Sequence, residues 1–158
     1  MSLAGQMTAL ESSGLIHMAQ LQPEVEYLFR HALIQETAYN SLVKADRRIL
    51  HQAVGESLER LHPARLASAE LAPRLAHHFA EAGDDARALR YYTLAGRAAA
   101  EVYANAEAIH HFGRALEISK TPTADGEAVM DLFLRRGHAL ELNSQDAQAL
   151  TNYEAMES

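Results

Sequence analysis

The sequence predicts an all-α fold assembled from repeated helix pairs, with one short β-hairpin near the N-terminus. Three observations carry that expectation. Ala and Leu dominate a chain that is 48% apolar and 22% charged, while Val and Ile are scarce; Ala and straight-chain residues lose less entropy in a helix than β-branched ones do. Apolar residues recur at three- and four-residue steps through most of the chain beyond residue 45, the period of an amphipathic helix. Third, one spacing repeats: Ala88-Leu89 with Tyr92, Ala108-Ile109 with Phe112, and Ala149-Leu150 with Tyr153. Each leading alanine follows another small residue by twelve positions, namely Ala76, Gly96 and Gly137. Small residues on two helices let the backbones approach, and the aromatic covers the contact.

Taken in order, residues 3–13 read as a helix stopped by Gly14, a residue suited to the left-handed C-terminal position. Residues 15–18 and 25–29 read as strands flanking a turn at 20–24 that contains Pro23. A helix over 31–43 has Leu33, Ala38, Tyr39 and Leu42 for a buried stripe. Asp46 is placed to cap the next helix, to Leu61, whose stripe is Ile49/Leu50, Ala53/Val54, Leu58 and Leu61. His62-Pro63 ends it, because the residue before proline avoids helical angles. A helix over 68–82 carries Pro73 near its start, where a missing N–H does least harm, and buries Leu71, Leu75, Phe79 and Ala82. Gly83-Asp84-Asp85 turns the chain and caps the next helix.

Four more helices follow, at 86–103, 106–119, 125–142 and 146–156, with Thr121-Pro122-Thr123 as the clearest loop. Their stripes run through Tyr92 and Ala95/Gly96, through Phe112 and Ala115/Leu116, through Phe133/Leu134 and Leu140, and through Leu150, Tyr153 and Met156.

Composition narrows the function classes. With no cysteine, thiolate zinc sites, disulfide scaffolds and cysteine nucleophiles are excluded, and the chain suits the cytoplasm. No apolar run reaches the ~18 residues of a membrane span. The net charge is −7, with residues 67–158 carrying eight basic and fourteen acidic side chains. Nucleic-acid binding needs the opposite balance and is not expected. There is no G-x-x-x-x-G-K-[ST] phosphate loop and no G-x-S-x-G elbow. The chain reads as a non-enzyme without cofactor or metal.

The small–small–aromatic spacing resembles the tetratricopeptide repeat (TPR), with Leu75-Ala76, Phe79, Gly83-Asp84, Ala88, Tyr92 and Ala95 as the best match. The leading alanines stand 20 and then 41 residues apart, against about 34 in regular repeats. Helix 86–103 then serves two successive repeats; a plain helical bundle is the alternative. A second resemblance rests on Gly14-Leu15-Ile16, on residues 27–39 (Tyr27-Leu28-Phe29-Arg30-His31-Ala32-Leu33-Ile34-Gln35-Glu36-Thr37-Ala38-Tyr39) and on Arg47-Arg48-Ile49-Leu50-His51. This is similar to the segment that follows the P-loop module in bacterial signal-transducing ATPases with helical-repeat tails, many of them adenylate/guanylate cyclase-like or transcription-regulating proteins. It implies the end of a winged helix at 1–45 and a right-handed TPR-like superhelix at 46–158.

The resemblance also implies a function: a non-catalytic interaction or regulatory scaffold within a larger multidomain signalling protein. A structural linker between an upstream ATPase and downstream repeats, or a small-ligand sensor, are the alternatives. The first helix of each pair lines the groove of a regular array, which puts Arg74, His77 and His78 on one such helix and Arg135, Arg136 and His138 on another. A protein or peptide is the expected partner. Self-association is expected through the last helices, where Leu150, Tyr153 and Met156 would be partly uncovered.

The remaining candidates read as structural. Nine histidines contain no pair at i, i+4, the spacing that puts two imidazoles on one side of a helix. In the adjacent pairs, His77 and His110 are expected to be solvated and His78 and His111 to line helix boundaries. Arg30-His31 reads as a helix cap, with Arg30 paired to a nearby carboxylate such as Glu26; a sensor contact to nucleotide or phosphate on an ATPase domain is the alternative. Lys44, Arg47 and Arg48 form a basic cluster that reads as a solvated helix start.

Overall fold

A computed structural model of the chain describes residues 2–20, 25–120 and 125–157. Their fold is mostly helical, with one small antiparallel sheet of two strands. The element order is α1 (Leu3–Ser12), β1 (Ile16–Gln20), β2 (Glu26–Phe29), α2 (Ala32–Ser41), α3 (Lys44–Leu61), α4 (Pro63–Ala67), α5 (Ala72–Ala82), α6 (Asp85–Glu101), α7 (Asn105–Ile118), α8 (Gly126–Leu142) and α9 (Asp146–Met156). The chain divides into two compact units, residues 1–47 and 48–158.

In the first unit Gly14 takes a left-handed conformation (φ +75°) directly after α1, as its sequence position predicts. The strands pair Ile16 with Phe29, His17 with Leu28 and Met18 with Tyr27, with an irregularity before Gln20 pairs with Glu26. The expected connection falls, beyond Gln20, outside the described residues. The stripe expected on α2 is not buried: Leu33 is 76% exposed, Ala38 and Tyr39 are exposed, and Leu42 is only half-buried. A unit of this size offers a single narrow two-stranded sheet, too little surface to cover a helix face.

The second unit holds the core, drawn from Leu71 through Ala139. Its helices pack in sequence order, α5 on α6, α6 on α7, α7 on α8 and α8 on α9. Helix α6 therefore contacts both of its neighbours, as the spacing of the alanines suggested.

Three helix boundaries depart from expectation. Helix α3 begins at Lys44, and the Arg47 N–H already bonds the Val43 carbonyl at 3.1 Å, so Asp46 lies in the first turn instead of capping it. Pro63 opens the short helix α4 as well as closing α3. The helix expected at 68–82 starts only at Ala72, because the Pro73 ring would clash with the carbonyl four residues back, at Ala69. Ala69 itself turns left-handed, at φ +57°.

The buried face of α3 is the largest correction. Ile49 (66% exposed), Leu50, Val54 and Leu61 (65%) all face outward. Inward lie Gly55, fully buried, and Leu58, partly buried. Gly55 decides this, because Phe79 of α5 lies directly on it: a Cβ there would stand 2.8 Å from the Phe79 ring. The same contact occurs twice more. A Cβ at Gly96 of α6 would stand 2.6 Å from Cε1 of Phe112 in α7, and one at Gly137 of α8 would overlap the Tyr153 ring of α9. Gly55, Gly96 and Gly137 are spaced 41 residues apart. A strict period therefore exists, but it runs through the glycines of the first helices, whereas the alanine spacing suggested irregular repeats.

Elsewhere the stripes hold in part. Tyr91 joins Tyr92 in the core, while Val102, Met130, Leu134 and Leu150 are exposed. On α9 the buried side chains are Ala149 and Asn152, with Tyr153 and Met156 half-covered.

Candidate functional site

The six residues singled out from the sequence fall on two helices separated in the packing order by α6 and α7. On α5, Arg74 and His77 are exposed and His78 is half-buried. His78 meets a residue no sequence spacing indicated: His51 of α3, 27 positions away, whose Nδ1 lies 3.0 Å from its own Nδ1. The three rings of His51, His77 and His78 have centroids 5.1–5.7 Å apart. Burial, and then the positive potential of His51, His77 and Arg74, pushes His78 down to about 4. In this contact one Nδ1 donates and the other accepts, the roles set by the tautomers of the two rings. Among the described residues no three His, Asp or Glu side chains are arranged to hold a metal ion.

On α8 the three residues diverge. Arg135 pairs with Asp131 one turn back at 2.8 Å, and Arg97 of α6 reaches the same carboxylate oxygen at 3.0 Å. That shared pairing holds the Asp131 carboxyl below its ordinary range. His138 is exposed, 3.8 Å from Glu141. Arg136 turns inward instead. Its Nη1 donates to the Oδ1 of buried Asn152 at 3.4 Å, and Asn152 in turn donates to the Phe133 carbonyl at 2.8 Å. The Arg136 Nε is buried without a partner. It lines a cleft of about 330 Å³ between α7, α8 and α9, with Leu116, Val129, Phe133 and Ala155 as its apolar wall.

A polar network missed by sequence reading joins α3 to the start of α6. Gly83 turns left-handed (φ +82°), and Asp84 caps α6 by accepting the Arg87 N–H at 3.0 Å. The Arg87 guanidinium then bonds Asp84 at 2.7 Å, Glu56 at 3.3 Å and Glu59 at 3.4 Å while lying over the Phe79 ring. Burial would raise the Asp84 carboxyl, but the Arg87 backbone and side-chain bonds outweigh it and lower it. Tyr91 donates to Glu59, and burial followed by that carboxylate pushes the phenol up to about 12. This network orders the α3–α5–α6 contact. Its only sequence signal was the Gly83-Asp84 cap.

The first unit carries an open groove of roughly 720 Å³ lined by Phe29, Ala32, Ala38, Tyr39 and Leu42 with Gln35 and Glu36. His31 stands at the N-cap of α2 but makes no side-chain cap bond, and no ion pair among the described residues joins Arg30 to Glu26. The basic cluster also divides: Arg47 lies 5.1 Å from the Tyr39 ring, whereas the Arg48 guanidinium rests against Gly83. No helix among the described residues is long and apolar enough to cross a membrane. The chain matches no family model, no curated protein and no solved structure.

Proposed function

We propose that this chain is a non-catalytic interaction module, a TPR-like stack of helix pairs that serves as a regulatory scaffold within a larger signalling protein. The observation that carries the reading is the glycine–aromatic contact repeated three times at a constant spacing of 41 residues. Each pair buries its face on the next, so the stack extends by repetition and its outer helix faces stay available to partners. Arg74 and His77 on α5, with Arg135 and His138 on α8, supply exposed polar contacts on such faces. Residues 1–45 belong, on the resemblance of residues 14–51, to the end of a winged helix following a P-loop ATPase in the cytoplasm.

Two experiments test this. Peptides selected by display against the full chain should bind saturably, and Arg74→Glu or Arg135→Glu should weaken a selected peptide at least about tenfold, the loss of one charge-assisted contact. Unchanged affinity in both variants contradicts the surface assignment. The parent gene should encode a P-loop module upstream of Met1; a reading frame that opens at Met1 contradicts the signalling assignment.

A further inference from the structure

We propose that the cleft between α7, α8 and α9 binds a small carboxylate bearing an apolar body, with Arg136 as its anion contact. The cleft has a volume of about 330 Å³, the lower end of the range for small-molecule sites. Its wall of Leu116, Val129, Phe133 and Ala155 is apolar, and among the described residues its polar groups are Arg136, Ser119, Glu117 and Lys120. Glu117 is engaged by Arg114 at 2.5 Å, and the Ser119 hydroxyl donates to the Leu116 carbonyl at 3.0 Å. Among the described residues, Arg136 and Lys120 are then the charges left to meet a ligand.

Arg136 is held for that role. Asn152, 4% exposed, is fixed by its bond to the Phe133 carbonyl and takes one N–H of the guanidinium through Nη1. The guanidinium lies beside Gly113, where an added Cβ would stand in ordinary contact, 3.6 Å from Nε. Nε is buried and has no partner, and the carboxylates paired to its helix neighbours, Asp131 and Glu141, go to Arg135 and His138. A desolvated guanidinium edge without a counterion is costly. A carboxylate accepting from two parallel N–H groups matches that edge. The adjoining wall then takes an aliphatic or aromatic body.

The test is a titration of the ¹⁵N-labelled full chain, reading the Arg136 Nε–H resonance, which is identified by its absence in Arg136→Lys. Hexanoate should shift it saturably together with the Phe133 amide, and hexanamide should not. Inorganic phosphate should bind at least about tenfold more weakly, because it lacks an apolar body. Arg136→Met should weaken hexanoate at least about tenfold with unchanged circular dichroism. If that variant does not fold, the hexanoate–hexanamide comparison on the unaltered chain decides alone. A free short-chain acid and the last residue of a peptide share this chemistry. Acetyl-glycyl-leucine with a free or an amidated terminus separates the two sources, and preference for the free acid supports the site. No saturable shift with any carboxylate, an equal response to hexanamide, or phosphate binding as tightly as hexanoate overturns the proposal.

Discussion

Phe112 lies on Gly96 so closely that a single added methyl would stand 2.6 Å from its Cε1. Real Cβ atoms essentially never approach a ring that closely, so the two residues are matched as a pair, and the match sets the separation of α6 and α7. A double-mutant cycle should expose the coupling. Phe112→Ala leaves a cavity that costs about 3–5 kcal/mol, and Gly96→Ala strains the packed ring. Combined, the two changes should cost less than their sum by about 1 kcal/mol or more, since the added methyl enters space the ring has vacated. Denaturant unfolding measures it; strict additivity counts against the pairing.

The cap of α6 makes a second prediction. Asp84→Ala removes both the cap and one of three carboxylates around Arg87, and should cost about 1–2 kcal/mol. Asp84→Asn keeps the cap oxygen and should restore most of that loss. Thermal unfolding of the two variants separates cap from charge, since an equal loss in both would place the effect in the ion pair.

Stability should fall in acid through His78. Its value of about 4 lies below the ordinary 6.5, so the folded chain holds it neutral while the unfolded chain protonates it first. The stabilisation is complete above pH 6.5 and is lost as pH falls toward 4. His51 on α3 and His77 and Arg74 on α5 face this imidazole and reinforce the effect. His111, lowered by burial and then by His110, acts with the same sign. Replacing His78 by Gln should flatten the pH dependence between those limits, read as denaturation midpoints; an unchanged slope excludes His78 as its source.

At the alkaline end Tyr91 should ionise late. Its phenol, pushed up to about 12 from an ordinary 10, stays protonated in the fold over a range where the unfolded chain loses the proton. Stability therefore declines as pH rises from 10 toward 12. Phenolate absorbance should show a late step that Tyr91→Phe removes.

Helix order, the Gly14 and Gly83 turns and most of the core of α5–α7 were legible in the sequence, because period and turn chemistry are local signals. The face of α3 was not. Counting apolar residues favours Ile49, Leu50, Val54 and Leu61, yet close approach of α5 is governed by Gly55, which has no side chain to count. The signal was present as a 41-residue spacing of glycines, hidden because Ala88, which follows Ala76 and no glycine, stands only 20 residues before Ala108 and breaks the period. Of the six residues singled out, Arg74, His77, Arg135 and His138 are exposed, as the sequence suggested. Arg136 is not, since its inward turn depends on Asn152 sixteen residues on, and polar residues inside helices carry no periodic signature. The His51–His78 contact is likewise tertiary.

The most direct measurement compares Gly55→Ala, Gly96→Ala and Gly137→Ala with Gly126→Ala, whose added methyl meets nothing within 4 Å. Each of the first three should lower unfolding free energy by about 1–3 kcal/mol, the usual cost of overpacking. Gly126→Ala should be neutral or stabilising by up to about 1 kcal/mol, since alanine is the better helix former. Equal, near-zero effects at all four positions would contradict a stack built on three glycine–aromatic contacts.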